Sequence, residues 1–418
     1  MNRYAKDRST GPRPKPVVPI ELDEKRIGPR LLVAALLLAV GIFFIATAIT
    51  QCNAVSSGWT VVQADKSIDT DNAGEFTLLY ELGAAGRDAT TENKALTVAY
   101  TDALEHAAQL FSSLNSYEGV MNLCYLNAHP NETVLVDATL WNALALLEAQ
   151  GSRDIFLAPL FDDYQSIFFC TDDFQVGYFD PRTNADVRAF FDELLTFIHD
   201  PEALSIELLP ENRVIFHVSE DYQACCAKWG VTHLLDLGWM KNAFIVDTVA
   251  DALEEKGFTH GSLSSYDGFI RNMDSRTDVE YAFTIYDRVG AQIRSAAMMT
   301  YPPATRTLLF LHTYGLFSPY DVQRYYETEG GICYHAFLDG ADGLCKAAVP
   351  NLVCGSGSLG CVEMALLVAP VYIADELDVD ALEALLVRGI WHVRCEDGAI
   401  ITNGGAGFTN LAEGYRVA

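Results

Sequence analysis

Residues 236–247, DLGWMKNAFIVD, join an Asp-Leu-Gly turn to the beginning of an apolar helix. Aspartate and glycine are typical turn residues, because the aspartate side chain bonds nearby backbone groups and glycine tolerates a left-handed backbone. From Ala243 onward, apolar residues recur at helical spacing as far as Lys256, and Gly257 follows where a helix commonly ends. The segment therefore predicts a tight turn that leads into a helix with one apolar face.

Helical and strand patterns alternate on both sides of this segment. Further helices are predicted to begin near Asp186 and after the capping residue Asp378. Because no long linker, repeat or low-complexity run interrupts residues 73–418, we predict a single α+β domain of mixed sheet and helix there. The predicted strands are Arg213–Val218, Leu263–Arg271, Tyr281–Tyr286, Arg306–Leu311 and Ile390–Cys395, with Asp397-Gly398 turning the last into a hairpin with Ala399–Thr402.

Three stretches of the chain resemble, in order, the motifs of a single protein family. DLGWMKNAFIVD is similar to the family's D-L-G-G-x-A-K-G-Y-A-x-D, and residues 263–271, LSSYDGFIR, are similar to N-x-G-G-x-I-R. Residues 321–327, DVQRYYE, and 334–343, YHAFLDGADG, resemble D-Y-x-R-Y-F-E followed by H-x-x-D-P-x-T-G. With weaker similarity at residues 111–115, 154–156 and 360–368, the chain resembles the ApbE family, the FAD:protein FMN transferases.

This resemblance implies both a fold and a chemistry. Members of the family cleave the pyrophosphate of FAD and transfer FMN to a Ser or Thr hydroxyl of a partner protein, with Mg²⁺ as the cation. For this chain it implies an ApbE-like α+β domain, FAD as the cofactor and an extracytoplasmic flavoprotein or redox protein as the partner. By position, the implied cofactor-binding residues are Asp236, Asn242, Asp247, Ser265, Gly268, His335 and Asp339.

The family's side-chain metal ligands, an Asp and a Thr, fall on Cys361 and Ala365. Mg²⁺ takes hard oxygen ligands, whereas a thiol is soft and alanine offers no side-chain ligand. Glu363 is nearby in sequence, but two residues turn a helix by about 200°, so it cannot replace the Asp without a register shift. We therefore predict no metal site, although the resemblance itself implies Mg²⁺.

Other positions of the family pattern have also changed. The family's Lys falls on Asn242, and its second glycine falls on Trp239, where a bulky ring replaces close backbone approach. Its His falls on Ala336 or, in the other register, on His335. These replacements favour a degenerate domain that binds a flavin or a partner protein with weak or no catalysis. An active Mg²⁺-dependent FMN transferase and a surface protein without a ligand are the alternatives.

Residues 31–50, LLVAALLLAVGIFFIATAIT, carry no charge. As a helix rising about 1.5 Å per residue, they would cross the ~30 Å hydrocarbon core of a membrane. Residues 1–30 hold eight basic and four acidic side chains, and basic flanks stay in the cytoplasm. We predict a disordered cytoplasmic tail over residues 1–30, a transmembrane signal-anchor over residues 31–50, a tether over residues 53–72 and an extracytoplasmic domain over residues 73–418.

Two other interpretations of the N-terminus remain open. A cleaved signal peptide usually has a shorter leading region and a shorter apolar run than this chain has. A lipid anchor on Cys52 would place the bulky Gln51 where a small residue normally precedes the modified cysteine. Both interpretations are therefore less favoured than a retained single-pass helix in the cell membrane.

The charge of the chain excludes one class of partner. The formal net charge is −28 and residues 1–30 contribute +4, so residues 31–418 carry −32. Nucleic-acid binding requires clustered Lys and Arg to contact phosphates, and a body this acidic does not provide them. Ten cysteines, without a Cys-x-x-Cys pair or zinc spacing, leave disulfide pairing open outside the cytoplasm.

Overall fold

The computed structural model describes residues 55–65, 73–301, 304–315 and 324–418. The strands within these ranges are β1 Gly58–Val62, β2 Phe76–Leu82, β3 Thr133–Leu135, β4 Leu204–Leu209, β5 Arg213–Val218, β6 Gly261–Ser265, β7 Phe269–Asn272, β8 Tyr281–Val289, β9 Gln292–Tyr301, β10 Thr307–His312, β11 Tyr325–Glu327, β12 Cys333–His335, β13 Asn351–Ser356, β14 Ile390–Glu396, β15 Ala399–Thr402, β16 Gly407–Thr409 and β17 Arg416–Val417. The helices are α1 Ala89–Leu110, α2 Leu123–Ala128, α3 Ala138–Gln150, α4 Ala158–Phe168, α5 Asp173–Val176, α6 Ala185–Ile198, α7 Glu220–Trp229, α8 Lys241–Glu255, α9 Cys361–Tyr372 and α10 Val379–Ala384. Short 3₁₀ turns lie at Ala73–Glu75, Asp154–Leu157, Gly238–Met240 and Leu385–Arg388.

Nine of the strands in the described ranges form a central sheet in the order β1-β2-β6-β7-β10-β13-β14-β15-β17. Neighbouring strands in this sheet are antiparallel, except that β15 and β17 run parallel. Smaller sheets have the orders β16-β9-β8 and β3-β5-β4, and β11 pairs with β12. The mixed architecture with a large sheet agrees with the α+β class predicted from the sequence.

The two faces of the central sheet are covered by different layers. Successive side chains of a strand point to opposite faces, so Ile270 and Arg271 of β7 face opposite layers. Ile270 belongs to an apolar cluster with residues of β8 and β9, such as Ile285 and Met299. Arg271 points to α8, which packs on β6 and β7 and contacts α1 and α9. The turn at the beginning of α8 therefore leads into the helical layer on one face of the sheet.

Most of the predicted elements are confirmed. The predicted helix from Ala243 is α8, which begins two residues earlier at Lys241, and Asp378 caps α10 by accepting a hydrogen bond from Ala381 N at 2.9 Å. Asp397 and Gly398 both have a positive φ and turn β14 into β15, as two-residue hairpins require. The predicted helix near Asp186 is α6, although Asn184, not Asp186, is its capping residue.

The prediction of one strand over Leu263–Arg271 is wrong. The structure has a hairpin there, with β6 ending at Ser265 and β7 beginning at Phe269. Gly268, with a φ of +98°, turns the chain between them. Asp267-Gly268 is a typical turn signal and lies between the two strands, so the sequence contained the break that the prediction of one strand passed over.

Part of the predicted tether also belongs to the sheet. Residues 58–62 form β1, which pairs antiparallel with β2 along its full length. The segment GWTVV is rich in aromatic and β-branched residues, which favour strands. The predicted tail and the predicted span over residues 31–50 lie outside the described residues. Within the described part of the chain, no helix combines the length and apolar character needed to cross a membrane.

Candidate functional site

A cavity of about 600 Å³ opens beside the turn that precedes α8, and we call it the main cavity. It is built from segments that are distant in sequence: the loop after α1, one side of α4, the segment from His233 to Asn242, and residues of the β6–β7 and β11 regions. Its wall includes Glu75, Ser112, Ser113, Asn115, Ser116, Tyr117, Phe161, Asp162, Phe169, His233, Asp236, Gly238, Lys241, Asn242, Tyr266 and Arg324. Four stretches that carry the family resemblance therefore meet at one place.

Asp236 is held in the cavity wall by the turn that the sequence predicts. Its Oδ1 accepts a hydrogen bond from Gly238 N at 2.5 Å, and Gly238 has a φ of +55°. The Ser113 hydroxyl donates to the Asp236 Oδ2 atom from the loop after α1. The aspartate thus joins two segments that lie 123 residues apart in the sequence.

Sequence reasoning missed a histidine in this wall. His233 Nδ1 lies 3.0 Å and 2.9 Å from the two carboxylate oxygens of Asp162, and its Nε2 lies 3.7 Å from Asp236 Oδ2. Burial alone would lower the pKa of the imidazole, but the hydrogen bond and charge of Asp162 and the charge of Asp236 raise it above 6.5. His233 precedes Asp236 by three residues, which is the only sequence signal that points to it.

Asn242 lies between two carboxylates at the start of α8. Its Nδ2 donates to Glu75 Oε2 at 3.0 Å and to Asp267 Oδ2 at 3.1 Å. Arg324 forms an ion pair with Asp267 and donates to the carbonyl oxygen of Trp239 at 3.3 Å. Burial raises the pKa of Glu75, although the hydrogen bond from Asn242 opposes this shift. The Asn242 amide, at the position of the family's Lys, therefore forms hydrogen bonds with both carboxylates.

Asp247 does not reach the main cavity, because it caps α9 inside the fold. It accepts hydrogen bonds from Cys361 N at 2.9 Å and Val362 N at 3.0 Å, and it pairs with Arg271 at 2.9 Å. A Cβ atom at Gly360 would lie 2.8 Å from the Asp247 carboxylate, so only glycine allows this approach. Burial raises the Asp247 pKa, and the Arg271 charge and the two N–H donors oppose that shift.

Ser265 and Gly268 shape the β6–β7 hairpin and do not line the main cavity. Phe269 N donates to Ser265 Oγ at 3.2 Å, which closes the turn. A Cβ atom at Gly268 would lie 2.0 Å from the carbonyl oxygen of Phe310, so the turn presses directly on β10. Both predicted site residues therefore have a local structural role in the described fold.

His335 lines a much smaller cavity together with Trp239. Trp239 stacks on Phe269 with ring centroids 6.1 Å apart and meets Phe337 edge-on at 5.3 Å. The cavity next to His335 has a volume of about 40 Å³, and Tyr266 and Arg324 line both this cavity and the main cavity. Burial and the Arg182 charge lower the pKa of His335 to about 3, so the ring is neutral at neutral pH.

Asp339, the last of the predicted site residues, lies in the turn before Lys346. It pairs with Lys346 Nζ at 2.8 Å and accepts a hydrogen bond from Ala341 N at 2.9 Å. Burial and the nearby Asp339 charge raise the pKa of Asp154 to about 6. Of the seven residues that the resemblance implies, the fold thus brings Asp236 and Asn242 together in the main cavity and places the other five elsewhere.

The residues at the family's metal-ligand positions do not fit a magnesium ion. Cys361 and Ala365 are both fully buried in α9, and burial raises the pKa of the Cys361 thiol, which keeps it neutral. Among the described residues, no group of three His, Cys, Asp or Glu side chains is arranged to hold a metal ion. The nine described cysteines are unpaired, and this includes the adjacent Cys225 and Cys226.

Comparison with known proteins supports the fold. Neither a protein-family model nor a curated protein sequence matches the chain. The structure is similar to that of the ApbE protein from Thermotoga maritima, with a TM-score of 0.52 and 12% identity over 84% of this chain and 97% of that one. A mutant of the flavin transferase ApbE from Vibrio cholerae matches with a TM-score of 0.49 and 13% identity over 85% of this chain and 98% of that one. The similarity to the Thermotoga maritima protein confirms the predicted resemblance at the level of architecture: this chain has an ApbE-like fold.

Proposed function

We propose that this domain binds a flavin nucleotide in the main cavity and transfers FMN weakly or not at all. The observation that carries the proposal is the convergence of four of the family-like segments on one cavity, with Asp236 and Asn242 in its wall. A volume of about 600 Å³ lies within the range of roughly 300–1,000 Å³ that is usual for small-molecule sites.

The chemistry of the wall suits a nucleotide with a ring and a phosphate. Tyr117, Phe161 and Tyr266 offer aromatic faces on which a flavin or adenine ring can stack. Lys241 and Arg324 bring positive charge, and serine hydroxyls supply hydrogen bonds to phosphate oxygens. The wall thus combines apolar and polar groups, as ligand sites commonly do.

The buried start of α9 argues against efficient transfer. Cleavage of a pyrophosphate develops charge on phosphate oxygens, which a cation and fixed donors must neutralise. A neutral thiol at Cys361 and a methyl group at Ala365 supply neither an anionic oxygen nor a hydroxyl. The substitution of both family ligand positions therefore supports binding over catalysis.

The place of action is also a proposal, and it rests on the sequence. The apolar run of residues 31–50 and the basic flank before it support a single-pass anchor with the domain outside the cytoplasm. There, an extracytoplasmic flavoprotein or redox protein would be the partner.

The test uses the full chain, purified in mild detergent and mixed with FAD and Mg²⁺. Retention of visible flavin absorbance after gel filtration, without covalent FMN on an acceptor protein by mass spectrometry, is the expected result. Ser116→Trp should block binding by placing a ring at the cavity wall, whereas Ser275→Trp, at an exposed serine away from it, should not. Covalent FMN would establish an active transferase, and a colourless protein would contradict flavin binding.

A further inference from the structure

We propose that His233 is a positioning residue of the main cavity, whose protonated ring holds Asp162 and Asp236 in place and so admits the phosphates of an anionic ligand. This inference rests on the proposed flavin site, and it names the group that makes binding depend on pH. The family resemblance does not include His233, since the similar segment begins at Asp236.

The geometry around His233 fits a ring with protons on both nitrogens. Nδ1 lies at hydrogen-bond distance from both oxygens of Asp162, which only accept, so this nitrogen carries a proton. Nε2 is buried, has no hydrogen-bond partner in the described part of the chain, and lies 3.7 Å from Asp236 Oδ2. A neutral ring would turn an Nε2 lone pair toward that carboxylate oxygen, whereas an imidazolium turns an N–H toward it.

The neighbours of His233 come from two elements, and both present a carboxylate. Asp162 is on α4, and Asp236 is in the turn that leads to α8. The side chains of His233 and Asp236 are only 11% and 13% exposed, so water screens this pair weakly, whereas Asp162 is 42% exposed and is screened more strongly. Removing the His233 proton would leave two carboxylates facing each other across a neutral ring, and the raised pKa of the imidazole agrees with that cost.

Because of the other charges in the cavity wall, the protonation state of His233 determines how strongly the cavity repels an anion. Glu75 adds a carboxylate and Lys241 adds a cation, while the charge of the wall residue Arg324 is balanced by its ion pair with Asp267. The carboxylates of Glu75, Asp162 and Asp236 face Lys241 and His233, so loss of the His233 proton doubles the net negative charge of this group from −1 to −2. A pyrophosphate entering the cavity would be repelled more strongly in that state.

Asp236 links this charge to the shape of the cavity. Its Oδ2 atom accepts from Ser113 and faces His233, while Oδ1 accepts from Gly238 N. Release of Asp236 by a neutral ring would loosen both the loop after α1 and the turn before α8. The ring therefore acts on the ligand through Asp236 and the cavity wall.

FAD is the appropriate probe, because its pyrophosphate keeps a constant charge near neutral pH, whereas the phosphate monoester of FMN titrates near pH 6. Isothermal titration of the full chain in detergent, from about pH 5.5 to about pH 8.5, should show affinity falling on the order of tenfold as His233 loses its proton. His233→Gln should bind FAD with the weaker affinity at every pH. His217→Gln, which removes an exposed histidine bonded to Glu207, should keep the full pH profile.

A second measurement follows the ring itself. Imidazole NMR, with the His233 signal assigned by its loss in His233→Gln, should give a midpoint above 6.5, and Asp162→Asn should lower that midpoint and shift the FAD profile equally. FAD affinity that is independent of pH, or a wild-type profile in His233→Gln, would overturn the inference while leaving flavin binding intact. Absence of FAD binding at every pH would instead overturn the proposed function, and the inference with it.

Discussion

Two aspartates of the same family-like segment, Asp236 and Asp247, have opposite surroundings. Asp236 lines an open, polar cavity beside Ser113 and His233. Asp247 lies inside the fold, where it neutralises Arg271 and caps α9. The difference shows that two aspartates of one family-like segment can have separate structural roles: one lines a cavity, and the other stabilises the fold.

The largest effect in this comparison is expected for Asp247→Ala. It would leave the Arg271 guanidinium, which is 2% exposed, without its most buried partner and would uncap α9. Breaking a buried pair in this way typically costs about 3–5 kcal/mol of unfolding free energy. Urea unfolding should show this loss, whereas Asp251→Ala, which removes a more exposed partner of Arg271, should cost less than about 1 kcal/mol.

A second variant asks whether the start of α9 can become a metal site. Cys361→Asp with Ala365→Thr restores the family's ligands and buries a second carboxylate near Asp247, so stability without metal should fall by about 3 kcal/mol. Mg²⁺ should then raise the unfolding temperature of the double variant but not of the wild type. Cys354→Asp, at another fully buried cysteine, should be destabilised without a response to Mg²⁺. If the double variant also ignores Mg²⁺, these positions do not correspond to the family's ligands.

The proposed role of the main cavity in FAD binding is tested by Lys241→Gln. Loss of this positive charge should weaken FAD binding about tenfold and change stability by less than about 0.5 kcal/mol, because Lys241 is at the first turn of α8 beside the cavity. Calorimetric titration and thermal unfolding measure the two effects. Lys256→Gln, at the other end of the same helix, should leave both unchanged, and an equal loss of affinity there would refute a local effect.

The last test concerns His335, the predicted site residue that lines the smaller cavity together with Trp239. The pKa of His335 in the folded protein is about 3. The unfolded chain therefore binds a proton at His335 near pH 6.5, whereas the folded protein does not. The neutral His335 ring therefore makes its full contribution to the free energy of unfolding above about pH 6.5. This contribution falls with decreasing pH, by at most about 1.4 kcal/mol per pH unit. Urea unfolding curves should show that the free energy of unfolding of His335→Gln decreases less below pH 6.5 than that of the wild type. His106→Gln, at an exposed histidine, should show the same pH dependence as the wild type.

The sequence predicted those features that depend on local patterns. The turn before α8, the cap of α10 and the Asp397-Gly398 hairpin each follow from residues within a few positions of one another. His233 was missed because its partner Asp162 lies 71 residues away, and nothing local signals that pairing. The separate positions of Asp236 and His335 were also beyond sequence, since they depend on long-range packing such as that of the Trp239 ring against Phe269 and Phe337.

The close contact at Gly268 determines where this chain can accept extra residues. The Gly268 carbonyl accepts from Phe310 N at 2.8 Å, and there is no room for even a methyl group, so an insertion would push the β6–β7 hairpin off β10. The turn at Gly290 joins β8 and β9 at the edge of a small sheet and has open space around it. Epitope tags, reporter peptides and lengthened loops are therefore compatible with the Gly290 turn and incompatible with the Gly268 turn.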